Sequence, residues 1–385
     1  MIIGNKIKTL ELPKTVKIIE NDAFAGCVDL NNLIIHASYK NKFSEVMMNY
    51  EETYDSSHKI SYYLDKIVYS TKATKEDWEG AIADDYGVIY SKDGTLLLEG
   101  NDVESYSIKE GTLAICDDAF YLRDICHVTL PYGLISIGAG SFCDTGIENI
   151  LIPSSVKYIG ETAFCGEHLE SIEIEGIISH MGRSVFSPND NGSSFKSVNL
   201  GHSQDLGDMT FKGCHSLTAV IIPKEVKNVG RNPFADTGIE RIVNHSHSFL
   251  YEDGLLYTNV YPKRLVACIQ AGPTVHIKEG TEIIGAYAFN KLSQITEIYV
   301  PESVIEIEDS AFQGCSNLRH VHFANGLRKI GDFAFHGCSS LSQIFIPNTV
   351  LEIGRGAFWY CSALLELQLP QYITSNPQLP SRNDI

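Results

Sequence analysis

Two histidines, His320 and His322, have the type and spacing that most readily suggest chemistry in this chain. Two residues apart on a β-strand, their side chains would lie on the same face and could bind one metal ion. A zinc site needs three or four fixed ligands, and only Glu297 or Glu366 could complete this set. We therefore predict no metal site and no cofactor.

Catalytic motifs are missing from the sequence. It contains no G-x-S-x-G, no P-loop, no G-x-G-x-x-G and no H-E-x-x-H. Serine, histidine and aspartate residues are scattered, without a spacing that would bring a nucleophile and a base together. The expectation is that the protein is not an enzyme.

The sequence is organised by a repeat. The segment 298–321 reads IYVPESVIEIEDSAFQGCSNLRHV, and it returns as IFIPNTVLEIGRGAFWYCSALLEL at 344–367. Self-similarity at this period is typical of solenoid architectures. Most gaps between the phenylalanines of its A-F pair are 22 or 23 residues, and the phenylalanines are Phe24, Phe120, Phe142, Phe164, Phe186, Phe211, Phe234, Phe289, Phe312, Phe335 and Phe358.

One repeat predicts a short strand, a tight turn and a return to the core. Ile298 and Val300 alternate around Tyr299 as a strand requires, and Pro301 ends the strand because it has no N–H to donate. A turn or single helical turn follows through residues 309–312, where Asp and Ser side chains could accept bonds from free N–H groups. Stacked repeats bury what one repeat cannot, so the phenylalanines are expected to form a spine.

Ten cysteines raise the question of disulfides. Five of them stand three residues after a repeat phenylalanine: Cys27, Cys214, Cys315, Cys338 and Cys361. Cysteines in such a core position behave as small buried hydrophobes, and no C-x-x-C motif supports zinc or thioredoxin chemistry. We predict free, buried thiols rather than disulfides, with Cys315, Cys338 and Cys361 in the structural core.

The repeat pattern resembles the leucine-rich repeats of the BspA-like family. The matching unit is L-x-x-I-x-I-P-x-x-V-x-x-I-G-x-x-A-F-x-x-C-x-x-L, which covers residues 7–36 and 105–370. The resemblance implies a β-rich, right-handed leucine-rich-repeat solenoid of short parallel strands joined by tight or short helical turns. For many members it also implies a bacterial cell-surface role in adhesion or host interaction.

Two β-hairpin insertions are expected beside the repeats. Each places apolar runs around a turn, with Asp93-Gly94 in the first, and each is followed by the pentapeptide IKEGT. The predicted organisation is an N-terminal repeat at 1–36, an insertion at 37–83, hairpins at 84–104 and 248–274, repeats at 105–247 and 275–370, and a C-terminal cap or tail at 371–385.

Composition limits the partners. The formal net charge is −18, which disfavours nucleic acid and anionic membranes, because phosphate binding needs clustered Lys and Arg. No run of apolar residues is long enough to span a membrane. No signal peptide is visible, so the location would be cytoplasmic if the chain is full length, and cell-surface or secreted if the resemblance holds.

A row of exposed strand residues is the candidate binding surface. Its members occupy the outward positions of successive strands and include three histidines and two aromatics: His276, Tyr299, His320, His322 and Phe345. Such side chains are enriched in interfaces, although strands also favour aromatic residues simply for pairing. On the concave sheet of a solenoid this row would bind a protein partner whose identity the sequence does not give.

The function expected is that of a non-catalytic protein-binding scaffold, in a surface adhesion or host-interaction protein. An intracellular interaction scaffold is one alternative, favoured by the lack of a visible signal peptide and by the prediction that the cysteines are reduced. A carbohydrate-binding module is another, of a different class.

Overall fold

The computed structural model describes residues 9–12, 32–36, 67–188 and 193–370. The chain divides into two compact units, the first comprising Met1–Asp190 with Val198–Asp205 and the second Asn191–Ser197 with Leu206–Ile385. Each unit is described by itself. The predictions made for Phe24, Cys27 and the tail at 371–385 lie outside the described residues, as does most of the insertion predicted at 37–83.

The described part of the first unit consists mainly of strands of two to four residues, with one short helix. The helix α1 is Lys75–Trp78, and the strands are β1 Thr9–Glu11, β2 Asn32–Ile35, β3 Ile67–Tyr69, β4 Ile82–Ala83, β5 Ile89–Tyr90, β6 Leu96–Glu99, β7 Ser105–Ser107, β8 Ala114–Ile115, β9 His127–Thr129, β10 Ser136–Ile137, β11 Asn149–Ile152, β12 Tyr158–Ile159, β13 Ser171–Ile174 and β14 His180–Met181. Two further strands, β15 Ser197–Asn199 and β16 Asp205–Leu206, contain residues of both units.

The second unit repeats the same kind of short strand. Its strands are β17 Ala219–Ile222, β18 Asn228–Val229, β19 Arg241–Asn244, β20 Phe249–Glu252, β21 Leu255–Thr258, β22 Arg264–Cys268, β23 Thr274–His276, β24 Ile283–Ile284, β25 Glu297–Val300, β26 Glu306–Ile307, β27 His320–Phe323, β28 Lys329–Ile330, β29 Gln343–Phe345, β30 Glu352–Ile353 and β31 Glu366–Gln368.

Two ladders of strands run through each unit. Most of the two-residue strands join one seven-stranded sheet in each unit, ordered β14-β12-β10-β8-β6-β5-β4 in the first and β20-β21-β22-β24-β26-β28-β30 in the second. Most of the longer strands form smaller sheets, namely β1-β2-β3, β7-β9, β11-β13-β15, β17-β19, β23-β25-β27 and β29-β31. Neighbouring repeats pair in parallel. Each unit is thus a leucine-rich-repeat solenoid, as the pattern predicted.

Antiparallel strands stand at the start of each seven-stranded sheet. In the first unit β5 is antiparallel to both β4 and β6, and β6 then pairs in parallel with β8. In the second, β21 is antiparallel to β20 and β22, and β22 pairs in parallel with β24. The last strand of each antiparallel group therefore pairs directly with the first repeat strand of its sheet.

Buried phenylalanine rings stack along each unit. In the first, the ring centroids from Phe120 through Phe142 and Phe164 to Phe186 are 5.3, 5.4 and 6.2 Å apart. In the second, those from Phe289 through Phe312 and Phe335 to Phe358 are 4.8, 4.9 and 5.4 Å apart. A shorter row joins Phe195, Phe211 and Phe234. Because each ring packs on the next repeat, the spine couples repeats that are separate in sequence.

The turn before most spine rings contains a residue with left-handed backbone angles. Ser310, two residues before Phe312, has φ 56°, and Thr162 and Tyr287 hold the same place before Phe164 and Phe289. The Asp309 carboxylate accepts a hydrogen bond from the N–H of Asp332, one repeat further on, at 2.8 Å. Asp309 thus accepts a bond from a free N–H, as predicted, and that N–H belongs to the turn of the neighbouring repeat.

One disulfide corrects the prediction that the cysteines are free. Cys143 is bonded to Cys165, with Cα atoms 4.5 Å apart, a separation that suits a disulfide. Each follows a spine phenylalanine directly, so the same position in adjacent repeats brings the two sulfurs together. The described cysteines outside the disulfide are Cys116, Cys126, Cys214, Cys268, Cys315, Cys338 and Cys361.

Candidate protein-binding surface

Strand pairing places three of the five predicted binding residues, namely His276, Tyr299 and His322, in one row. The register of β23 with β25 sets His276 opposite Tyr299, and that of β25 with β27 sets Tyr299 opposite His322. The flanking residues Ile298 and Val300 are buried, so the alternation of the strand turns the row outward. The predicted side chains are therefore neighbours because they occupy the same position in successive repeats.

The three rings of this row stack on one another. The centroids of His276 and Tyr299 are 4.5 Å apart with a 10° angle between their planes. Those of Tyr299 and His322 are 4.3 Å apart with an angle of 11°. Both faces of the Tyr299 ring are thus covered by imidazoles, and this residue is only 36 % exposed. Only the edge and the hydroxyl of the Tyr299 ring are therefore open to solvent.

Glu297 contacts two members of the row, Tyr299 and His322. Its Oε1 accepts a hydrogen bond from the Tyr299 hydroxyl at 3.1 Å and lies 2.8 Å from Nε2 of His322. The bonds from His322 and Tyr299 hold the pKa of the Glu297 carboxyl below its usual value. The same carboxylate raises the pKa of Tyr299, since its hydroxyl would lose a charged acceptor on ionising. Stacking and these bonds together hold the three side chains in one arrangement.

Phe345 is not part of the stack. It lies in β29, which pairs with β31, and its register partner is Gln368. Its side chain is 51 % exposed, and none of the ring contacts among the described residues involves it. Phe345 is therefore the member of the predicted row that offers open aromatic surface.

The histidine pair does not assemble a metal site. The ring centroids of His320 and His322 are 6.4 Å apart, with planes tilted by 30°. Within the described ranges, no group of three or more His, Cys, Asp or Glu side chains is placed to hold a metal ion. His322 instead contacts Glu297, and the pair acts as polar surface.

The sequence-predicted core residues lie inside the two units. The spine phenylalanines within the described residues are buried, as are Cys315, Cys338 and Cys361. Each of these thiols contacts the carbonyl oxygen of a spine phenylalanine in the preceding repeat, with Sγ–O distances of 3.0, 3.2 and 3.2 Å. Burial raises the pKa of Cys315 to about 12 and that of Cys361 to about 11. These thiols are packing groups rather than nucleophiles.

Sequence reasoning missed a second group of aromatic side chains, at the turns of the last two repeats. It comprises Phe333, His336, Trp359 and Tyr360, with Arg355 beside them. The signal that could have revealed it is the consecutive Phe358-Trp359-Tyr360, because one aromatic residue suffices for the spine.

No helix within the described part of the chain is both long enough and apolar enough to cross a lipid bilayer.

The parallel ladders, stacked spine and repeated turns define a leucine-rich repeat protein. The chain belongs to the BspA type leucine rich repeat family, whose profile matches residues 4–67, 98–202, 190–257 and 273–378 in six copies. No curated protein sequence matches the chain.

Several solved bacterial structures share the fold. A leucine rich cell surface protein from Faecalibacterium prausnitzii is 22% identical, with a TM-score of 0.58 over 75% of this chain and 94% of that one. The pneumococcal vaccine antigen PcpA is 21% identical, with a TM-score of 0.54 over 76% of this chain and 66% of its own. A leucine-rich repeat protein from Eubacterium ventriosum is 18% identical, with a TM-score of 0.51 over 70% of this chain and 73% of that one.

Proposed function

We propose that this protein is a non-catalytic scaffold that binds another protein through the outward row of its second unit. The binding surface, called here the ladder patch, consists of His276, Tyr299, His320, His322 and Phe345. Leucine-rich repeats of this family supply the rigid stack, and the outward strand positions supply the side chains.

The observation that carries the proposal is the contrast between Phe345 and its neighbours. Phe345 leaves half of an aromatic side chain open to solvent, whereas the polar row from His276 to His322 is already held by stacking and by Glu297. An exposed aromatic anchor beside fixed polar groups is the usual composition of a protein interface. Because the row is ordered beforehand, little side-chain entropy is lost on binding.

The partner of this surface is a protein that covers Phe345 with an apolar side chain and forms hydrogen bonds to polar atoms at the edges of the stacked rings. The available groups there are the imidazole nitrogens that do not contact Glu297 and the Tyr299 oxygen, since both faces of the Tyr299 ring are covered. The ladder positions of β23, β25, β27 and β29 carry no Lys or Arg, so a phosphate-rich partner is disfavoured.

Adhesion at a bacterial cell surface is the cellular role that we propose. Two of the similar structures support it, since one is described as a cell surface protein and the other as a vaccine antigen.

Site-specific photo-crosslinking tests the ladder patch. A photo-reactive phenylalanine analogue is placed at Phe345 of the full chain, and at Leu151 as the matched exposed strand position of the first unit. Each protein is incubated with a defined preparation of extracellular and membrane proteins, and the adducts are identified by mass spectrometry. We expect one dominant adduct from position 345 that is missing from position 151.

Competition decides whether that adduct reports the ladder patch. Excess unlabelled natural chain should suppress the adduct, whereas the Tyr299→Ser, Phe345→Ser double variant should not. Equal suppression by both competitors, or equal adducts from positions 345 and 151, would contradict the proposal. Release of product from a panel of glycans would contradict the non-catalytic assignment.

A further inference from the structure

A second exposed aromatic surface lies at the turns of the last two repeats of the second unit. We call it the turn-edge cluster, and it consists of Phe333, His336, Arg355, Trp359 and Tyr360. The Phe333 and Trp359 rings meet edge to face at 5.7 Å, and the His336 and Tyr360 rings do so at 5.1 Å. A third edge contact, at 6.0 Å, joins Phe333 to His336. The rings therefore form one connected group across two repeats.

The backbone conformation of these turns leaves space for the rings to come into contact. Gly356 has φ +61°, and a Cβ atom built on it would lie 2.8 Å from ring atoms of both Phe333 and Trp359. Only glycine leaves room for the two rings to meet there. Phe333 itself has φ 56°, a left-handed conformation that is unfavourable for a bulky residue. Main-chain bonds from Phe333 N–H to the Arg355 carbonyl, at 3.0 Å, and from Gly337 N–H to the Trp359 carbonyl, at 2.8 Å, hold the turns together.

The repeat itself does not require these aromatic side chains. Two repeats earlier, the positions of Trp359 and Tyr360 are filled by Gln313 and Gly314, which follow the buried Phe312. Trp359 is nevertheless 42 % exposed and Tyr360 76 % exposed. Large exposed aromatic side chains that do not serve the core are characteristic of interaction surfaces, and Trp, Tyr and Arg lead among interface hot spots.

Charge indicates the chemistry of the partner. The guanidinium of Arg355 lies 5.2 Å from the centre of the Phe333 ring, and no carboxylate in the described part of the chain forms an ion pair with it. Asp332, in the preceding repeat, accepts the Arg355 backbone N–H through its Oδ1 at 2.7 Å. Since this carboxylate is directed at the main chain, the guanidinium fork is left for an acceptor outside this chain.

We propose that the turn-edge cluster is a second docking site, which binds a protein segment that carries a carboxylate next to an apolar side chain. The carboxylate bonds to Arg355, and the apolar side chain covers Trp359 and Tyr360. This site is independent of the ladder patch, because it uses the turns rather than the outward strand positions.

Selection from a phage-displayed library of random twelve-residue peptides tests this assignment on the full chain. The enriched sequences are expected to combine Asp or Glu with an adjacent aromatic or aliphatic residue. A synthetic consensus peptide is then titrated into Trp78→Phe protein, in which Trp359 is the remaining tryptophan, and its fluorescence is followed. The Gln analogue of the peptide should bind at least about tenfold more weakly, as expected for a hot-spot contact.

Substitutions inside and outside the turn-edge cluster show whether the peptide binds there. Arg355→Gln, measured by the same fluorescence, and Trp359→Ala, measured by calorimetry, should each weaken peptide binding by about tenfold or more. The Tyr121→Ala, Leu122→Ser double variant changes the same two exposed positions in the first unit and should leave binding unchanged. Phe345→Ser should also leave it unchanged.

The opposite results would overturn the proposal. These are an enriched consensus without an acidic residue, binding that survives Arg355→Gln, or equal loss with Phe345→Ser. Saturable binding of a neutral glycan that depends on Trp359 but not on Arg355 would assign the cluster to carbohydrate instead.

Discussion

The outward strand positions differ sharply between the two units, although the strands that carry them are alike. In the first unit, Leu151 and Glu173 face one another across β11 and β13. In the second, Tyr299 and His322 occupy the corresponding places across β25 and β27 and stack at 4.3 Å. The inward positions remain apolar in both. Core packing therefore constrains one set of positions and leaves the other free to vary with function.

The cysteines differ in a parallel way. The first unit bonds Cys143 to Cys165, whereas the second keeps Cys315, Cys338 and Cys361 as thiols against backbone carbonyls. Both arrangements link adjacent repeats. Position in the turn decides between them, because a cysteine directly after the spine ring meets its counterpart and one three residues later meets a carbonyl oxygen.

The largest effect is expected from shortening the spine. Phe142→Ala in the first unit and Phe312→Ala in the second should each lower the free energy of unfolding by about 3–5 kcal/mol, since each removes a fully packed ring. Denaturant unfolding would measure both. The exposed Phe345→Ala is the control and should change stability by no more than about 0.5 kcal/mol. Losses under about 1 kcal/mol in either spine variant would show that the two stacks are not equivalent.

Reduction of the disulfide should come next in size. Breaking Cys143–Cys165 releases a constraint between residues 22 apart and should cost about 2–4 kcal/mol in the first unit only. Hydrogen exchange with and without reductant, read separately for each unit, measures this. The double Cys143→Ser, Cys165→Ser variant should match the reduced protein and become insensitive to reductant. Equal loss of protection in both units would remove the distinction between them.

Substitution of glycines at which two repeat backbones lie close together should give a smaller loss of stability, and the loss should be similar in both units. A Cβ atom at Gly160 would lie 2.4 Å from the Ala139 nitrogen, and one at Gly354 would lie 2.4 Å from the Asp332 nitrogen. Gly160→Ala and Gly354→Ala should each destabilise by about 1–3 kcal/mol, because the neighbouring repeat must shift. Gly133→Ala, which would meet nothing within 4 Å, is the control in thermal unfolding. No difference from this control would mean that the repeats separate easily.

The smallest effect is expected from acid titration of the ladder patch. His322 and Tyr299 lower the pKa of Glu297 in the folded protein. The stabilisation that these bonds give is therefore complete above the pKa of the unfolded state and is lost as the pH falls through the folded pKa. An NMR titration of the Glu297 side-chain carboxyl should give a midpoint below the ordinary value of a glutamate side chain. His322→Ala should raise the Glu297 midpoint. An unchanged midpoint would show that the row is not tied together by this carboxylate.

Much of the fold could be predicted because the relevant information is local and repeated. Alternation around Tyr299 marks its strand, Pro301 marks the strand's end, and the recurring phenylalanine marks the core. The row from His276 to His322 could be predicted for the same reason, since equal spacing in parallel repeats implies adjacent places. That Phe345 lies outside the stack could not be predicted, because spacing does not specify the ring contacts between β27 and β29.

What the amino-acid sequence alone determined is which positions face inward, because strand alternation and burial of apolar side chains act within a single repeat. Only the tertiary structure decided which polar and sulfur atoms meet, as in Cys143 with Cys165, Asp309 with the Asp332 N–H, and the rings around Gly356. Each of those contacts joins two repeats, so it depends on distances of a few ångströms between turns that lie more than twenty residues apart.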